Sequence, residues 1–306
     1  MAKGRVLVTG AGGLIGRTLC ERLHAAGRPI LATDVVPPDG QVPWPWKVAD
    51  LLDVHRIHAL MAEDIDCVFH GGGISGPMLA RDNPASIARI NIDGTLNVLE
   101  AARLHGIRRT VYCSSLVVYW PAAGAGEALT EASPFQVNDM YAASKVCGEW
   151  LARTYAENGW TDTLSFRIGW VYGPRRRTDC IVHTMIADAL AGKPTLLPHA
   201  PHFGRQFIHV EDVVDAVVTG LDIAAPPARV YNLGGPRIDY MRLHAAVKAA
   251  IPEARMEVQE DGPPPVDGAI PPMDTAAAER DLGWTPRTVL EEAVKTYAEH
   301  LRSHPY

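Results

Sequence analysis

Tyr141-Ala142-Ala143-Ser144-Lys145 sets a phenol and an ammonium four residues apart, so on a helix the two share one face. An ammonium beside a phenol stabilises the phenolate, and a phenolate can take the proton from a carbinol. Upstream, the run Thr110-Val111-Tyr112-Cys113-Ser114-Ser115 reads as a strand that ends in two hydroxyls. From that end Ser115 can donate a hydrogen bond to the same substrate oxygen. Together Ser115, Tyr141 and Lys145 suit the oxidation of a secondary alcohol, which also needs a hydride acceptor.

A site for such an acceptor lies at the start of the chain. The apolar, β-branched run Arg5-Val6-Leu7-Val8-Thr9 leads into glycines at 10, 13 and 16, and a helical pattern follows through Leu14, Ile15, Leu19 and Leu23. Strand, tight turn and helix N-terminus together cradle a diphosphate: backbone N–H groups and the helix dipole face the anion, and missing β-carbons admit it. A second strand, Arg28 to Asp34, ends in an acid 18 residues beyond Gly16. A carboxylate at about that spacing accepts from the adenosine ribose hydroxyls and repels a 2′-phosphate, and no Arg follows closely, so NAD is favoured over NADP.

The elements that must position these residues alternate. Strands are expected near Trp46, at Asp66–His70, at Thr110–Ser115 and at Thr163–Ile168. Helices are expected from Asp53, over 85–104 and over 141–155. Alternation of this kind implies an α/β fold, a doubly wound, mostly parallel sheet of Rossmann type with ligands beyond the carboxyl ends of its strands. After about residue 173 the regularity weakens to helices at 181–191, 213–223, 275–282 and 289–301 and strands at 206–210 and 229–233. Residues 1–173 are therefore read as the cofactor-binding domain and 174–306 as a smaller substrate lobe interleaved with it.

Bulk properties narrow the class. With 306 residues, 47% of them hydrophobic, the chain can bury a large core, and a net charge of −6 argues against a nucleic-acid partner. Five scattered cysteines without a Cys-x-x-Cys pair read as buried small hydrophobes in a reducing compartment. The chain enters a strand directly after Gly4 and holds no apolar run of bilayer length, so a cytoplasmic protein without leader or membrane partner is expected. His55/His58 and His199/His202 lack a carboxylate or cysteine in a ligand pattern, and no metal is expected.

With these stretches in view, the chain resembles the extended short-chain dehydrogenase/reductases, the group containing NAD-dependent sugar epimerases and dehydratases. The matching stretches are Thr9 to Gly16, Asp50-Leu51, His70-Gly71-Gly72-Gly73, Asn91 to Thr95, Ser114 to Tyr119, Tyr141 with Lys145, Arg167 through Tyr172-Gly173-Pro174, Arg205 through Val213, Tyr231 to Gly234, and Leu282-Gly283-Trp284 with Pro286. The resemblance implies that NAD is contacted by Gly10, Gly13, Leu14, Ile15, Gly16, Asp34, Asp50, Leu51, Gly71, Gly72, Gly73, Asn91, Tyr141, Lys145 and Ile168. It implies that Lys145 also binds the nicotinamide ribose, that Tyr141 is the base, and that the protein is a homodimer.

Departures from the family pattern concern the substrate. Trp120 stands where a Gly is usual and is expected to narrow the pocket. Pro263 to Gly268 lacks the Arg with which nucleotide-sugar enzymes hold a diphosphate. Gly73-Ile74-Ser75-Gly76 resembles the loop of uronate dehydrogenases, in which a Ser meets the substrate, and Arg175-Arg176-Arg177 suits an acidic group. Ser75, Ser115, Trp120, Arg175 and Arg205 are therefore the expected substrate contacts, and the leaning is toward a free sugar or sugar acid. The alternatives are a nucleotide-sugar 4-epimerase or dehydratase, or a non-catalytic NAD-binding protein. An esterase reading of His70-Gly71-Gly72-Gly73 fails because the chain has no Gly-x-Ser-x-Gly turn.

Overall fold

The computed structural model describes residues 4–76, 78–120, 128–197, 203–259 and 270–304. Val6 and Val8 of β1 (Arg5–Thr9) point to one face of a central sheet and Leu7 to the other, and all three are fully buried. A strand apolar on both sides must be covered on both sides, and it is. The other strands of this sheet are β2 (Ile30–Asp34), β3 (Trp46–Val48), β4 (Ile65–His70), β5 (Arg109–Ser115), β6 (Asp162–Ile168) and, late in the chain, β10 (Val230–Leu233). All pair in parallel, in the order β10-β6-β5-β4-β1-β2-β3. The fold class read from the sequence is the fold observed.

One face is covered by α1 (Leu14–Ala25), with Leu19 and Leu23 inward, and by α7 (Val210–Asp222), with Val213, Val214 and Val217 inward. The other carries α2 (Val54–Met61), started by Asp53 accepting from the Arg56 amide, and α4 (Gly94–Leu104), with Val98 and Ala102 inward. It also carries α5 (Met140–Glu157), which packs on β5 and β6. Each aliphatic side chain buried this way contributes about 1.5–3 kcal/mol. The helix expected over 85–104 is interrupted: α3 (Pro84–Ala88) passes into a π turn at Arg89–Asp93 before α4 begins.

A second core joins β7 (Trp170–Tyr172), β8 (Pro194–Leu197), β9 (Gly204–His209), β11 (Arg237–Asp239) and β12 (Arg255–Val258) with α6 (Ile181–Leu190), α8 (Tyr240–Ala250) and α10 (Leu290–Ser303). The strands form a three-stranded sheet, β11-β9-β7, and a pair, β12-β8. The short α9 (Ala276–Leu282) returns to β10. Thus β10 and α7 lie with the large sheet although they follow residue 173. No helix among the described residues is long and apolar enough to cross a membrane.

Candidate active site

Between β1 and α1 the chain turns at Gly10, whose φ of +68° is a left-handed conformation suited to glycine. A β-carbon there would sit 2.7 Å from the backbone of Gly71, and one at Gly16 only 2.2 Å from the Gly10 carbonyl oxygen. The two missing side chains let α1 and the β4 loop close on the turn. Asp34, at the end of β2, accepts from the Gly12 amide at 2.9 Å and from the Val35 amide at 2.8 Å. Each carboxylate oxygen keeps a lone pair for a ribose hydroxyl.

A cleft of about 410 Å³ opens over this turn. It is lined by Gly10, Gly13, Leu14, Ile15, Gly16 and Asp34, by Asp50 and Leu51 after β3, and by Gly71, Gly72, Gly73, Ile74 and Ser75 after β4. Across from them lie Cys113, Val171 and the run Arg175 to Thr178. A glycine cradle at a helix N-terminus, an acid at the far strand end and an arginine-bearing wall together fit a dinucleotide.

The glycine loop after β4 is held by a chain of buried hydrogen bonds. The Gly72 amide donates to Thr9 Oγ1 (3.1 Å), which donates to His70 Nδ1 (2.9 Å). His70 Nε2 donates to Thr95 Oγ1 (3.0 Å), which donates to the Asn91 carbonyl (2.5 Å). Because the Thr95 hydroxyl proton is spent on the Asn91 carbonyl, His70 Nε2 must be the donor to Thr95, and with the ring neutral Nδ1 is left to accept from Thr9. Burial, with a smaller contribution from the Lys145 charge, pushes the His70 pKa down to about 3. The unfolded chain takes up this proton below about pH 6.5 and the folded chain does not until about 3, so stability is full above that window and falls through it. In urea titrations, the stability gap between wild type and His70→Gln should narrow by about 2–3 kcal/mol from pH 7 to pH 4.5. An unchanged gap would show that the imidazole is not held neutral.

A second cavity, of about 100 Å³, adjoins the cleft and contains the hydroxyl-bearing strand end. Ser115 and Tyr141 line it together, with Ile168, Ser75 and Arg176. Asp139 caps α5 by accepting from the Ala142 amide at 2.7 Å, which places Tyr141 in the first turn and Lys145 one turn on. Lys145 is buried, and its ammonium donates to the Cys113 carbonyl at 2.7 Å. Burial pulls the ammonium's pKa down, while the neighbouring Tyr112, Tyr141 and Cys113 more than reverse this, leaving it above the ordinary lysine value. The helix is fixed to the strand one turn further by Glu149, which accepts from Ser114 and pairs with Arg167 at 2.7 Å, both members of the ion pair being buried. Ser115, Tyr141, Lys145 and Ile168, distant in sequence, thus converge beside the glycine cleft.

Other expected contacts are placed differently. Asn91 does not line the cleft. Its side-chain oxygen accepts from the Ile74 amide (2.8 Å), and its nitrogen donates to the Ile74 carbonyl and to Ser144 Oγ (both 3.0 Å), so it clips the glycine loop to α5. Trp120 lines neither of the two cavities formed by the described residues; it is buried in one apolar cluster with Tyr141, Ile87, Val117 and Ala142. Arg175 borders the cleft with a φ of +72°, but its guanidinium turns to Glu21 of α1 at 3.0 Å. Arg177 pairs with Asp39. Arg176 is the arginine of this run that lines both cavities, held by the carbonyls of Val171, Thr178 and Asp179. Sequence reasoning singled out its neighbour; the left-handed backbone at Arg175 and the tertiary partners Glu21 and Asp39 tell the three apart. Arg205 stacks on Trp170 at 4.5 Å and lines a third, much smaller cavity with it, next to the Ser115 pocket through Leu116. Ser75 lies at the junction of the two main cavities. His58 Nδ1 lies 3.1 Å from His105 Nε2, ring to ring. Pro263 to Gly268, His199 and His202 lie outside the described residues.

Known proteins agree with this geometry. The UDP-glucose 4-epimerase of Mycolicibacterium smegmatis is 29% identical over 98% of this chain and 99% of its own. The solved structure of MoeE5 in complex with UDP-glucuronic acid and NAD superposes with a TM-score of 0.86 at 28% identity, covering 98% of this chain and 99% of that one. The Thermus thermophilus UDP-glucose 4-epimerase complex with NAD gives a TM-score of 0.85 at 27% identity, with the same coverage. The sequence profile described as the NAD dependent epimerase/dehydratase family matches residues 6–234, most of the chain. The chain belongs to that family, and is an enzyme of the epimerase/dehydratase type with NAD as its cofactor.

Proposed function

We propose that the enzyme epimerises a nucleotide sugar by oxidising a secondary hydroxyl of the sugar and reducing the resulting ketone from its other face. The observation that carries the chemistry is the junction of the two cavities, where Ser115 and Tyr141 line a pocket opening onto the glycine cleft with Lys145 buried beside them. Relatives named as UDP-glucose 4-epimerases that match over nearly the whole chain favour a nucleotide sugar over the free sugar acid suggested by the departures. Those departures weigh less in the folded protein, because Trp120 is withdrawn from the pocket and Arg175 is turned to Glu21.

NAD, held by the Gly10–Gly16 turn and Asp34, supplies the hydride acceptor when bound. Ser115 donates to the substrate oxygen and holds it near Tyr141. The Tyr141 phenolate takes the hydroxyl proton, and the Lys145 charge favours that phenolate. The same phenol returns the proton when the ketone is reduced, so the enzyme ends each cycle in its starting protonation state. The Tyr141 ring is backed by a buried apolar cluster of Trp120, Val117 and Ile87, which fixes its position.

Arg176 brings a positive charge to the junction, and its described partners are carbonyls rather than carboxylates. Arg176→Ala should raise KM for a nucleotide sugar about tenfold, the usual effect of losing one charge-assisted hydrogen bond. An unchanged KM would remove Arg176 from substrate binding, and NAD affinity measured in parallel separates an effect on the cofactor.

The reaction class is tested by incubating the protein with stoichiometric NAD and, separately, UDP-glucose, UDP-glucuronic acid, free glucose and free galacturonic acid. A changed nucleotide sugar without accumulated NADH is expected. NADH accumulating with a free sugar acid would overturn the proposal in favour of a dehydrogenase.

A further inference from the structure

Lys145 carries a charge that burial disfavours, and among the described residues no carboxylate pairs with it. Glu149, one turn along α5, is committed to Ser114 and Arg167. His70, from β4, is held neutral. The Cys113 thiol is pushed up by burial and stays protonated. What faces the ammonium is the Cys113 carbonyl at 2.7 Å, the Tyr141 ring at 5.7 Å and, closer, the Tyr112 ring at 5.1 Å. A cation within about 6 Å of an aromatic centroid is attracted by the ring's quadrupole, most strongly where water is excluded.

Tyr112 is placed for this by its surroundings. It lies on β5 directly before Cys113 and is 2% exposed, with its ring tilted against His70 at 5.8 Å. Its phenolic oxygen reaches α5 at Gly148, where a β-carbon would sit 2.2 Å from that oxygen. The glycine three residues after Lys145 thus opens the slot that the ring occupies. Burial pushes the Tyr112 pKa up to about 12, so near neutral pH Tyr112 faces the ammonium as an uncharged phenol.

We propose that Tyr112 is a positioning residue for the catalytic ammonium, holding Lys145 charged and aimed at Tyr141 through its ring, in a slot that Gly148 leaves open. This rests on the reading that Lys145 serves Tyr141. Its test reads Lys145 itself and needs no turnover, so the two can fail separately.

The full chain is labelled with ¹³C at the lysine Cε, and the Lys145 signal is identified as the one lost in Lys145→Arg. In Tyr112→Leu, Lys145 should lose its proton about one pH unit lower than in wild type, whereas Tyr112→Phe should titrate with wild type. Replacing Tyr112 with 3,5-difluorophenylalanine, which weakens the π face while keeping the shape, should give an intermediate shift even where the leucine variant folds poorly. The proposal is overturned if the leucine and difluoro variants hold the proton to the same pH as wild type up to the pH at which the fold is lost. It is equally overturned if Tyr112→Phe falls as far as Tyr112→Leu, which would assign the role to the hydroxyl.

Discussion

Tyr141→Phe should lower turnover about a thousandfold while leaving the fold and NAD binding close to wild type, since it removes the proposed base and nothing else. The phenyl ring keeps its packing against Trp120, Val117, Ile87 and Ala142, so no cavity opens. Asp139 still caps the helix, and Lys145 still donates to the Cys113 carbonyl. Ser115 remains in the pocket, but a hydrogen-bond donor to the substrate oxygen cannot accept the proton that must leave. Steady-state kinetics with the epimerised nucleotide sugar checks this, with bound NAD quantified in the same preparation. Turnover within about tenfold of wild type would mean that another group is the base.

Gly16→Ala should cost the enzyme its cofactor. The added β-carbon would lie 2.2 Å from the Gly10 carbonyl oxygen and 2.9 Å from the Ala11 Cα, both rigid backbone atoms, so either the turn or α1 must move. In the proposed site the amides that would face the NAD diphosphate belong to that turn, and moving them by a fraction of an ångström would break several hydrogen bonds together. An affinity loss of about a hundredfold corresponds to about 2.7 kcal/mol, the worth of one or two charge-assisted hydrogen bonds. Titration calorimetry with NAD on wild type and variant measures it. Equal affinities would mean that the diphosphate does not rest on this turn.

The placement of these two residues at the cleft and its adjoining pocket was legible in the sequence, for a physical reason. A diphosphate cradle needs its glycines within two turns of chain, and a phenol needs its ammonium at i,i+4, so local spacing carries the geometry. Asp34 was legible because a strand of known length fixes where its end falls. The alternation of strands and helices specified the central sheet for the same reason. The chain from 240 to 250 showed no helix at the level of the sequence, although Asp239 caps α8 there; its inward face is Tyr240, Leu243, Ala246 and Val247. The strands β8 and β12 are four residues each and pair with one another across the smaller core, so neither carries a pattern of its own.

At the substrate end the informative geometry is tertiary. Trp120 reads as a pocket residue only while its neighbours are unknown; folding packs it behind Tyr141. The three consecutive arginines are equivalent in sequence, and they are sorted by one left-handed residue, by Glu21 on a helix formed 154 residues earlier and by Asp39 on a distant loop. Asn91 has the right type and place for a ligand contact, yet the π turn at Arg89–Asp93 commits its side chain to Ile74 and Ser144.

The central claim is that the sugar is oxidised and reduced at one carbon without leaving the enzyme. It is tested most directly with UDP-glucose and UDP-glucuronic acid carrying deuterium at C4, incubated with the holoenzyme in ordinary water. The product is then read by NMR and NADH by absorbance. The account expects the 4-epimer with deuterium retained at C4 and no NADH beyond the enzyme present. Deuterium lost to solvent, or a ketone released with a matching rise in NADH, would contradict it.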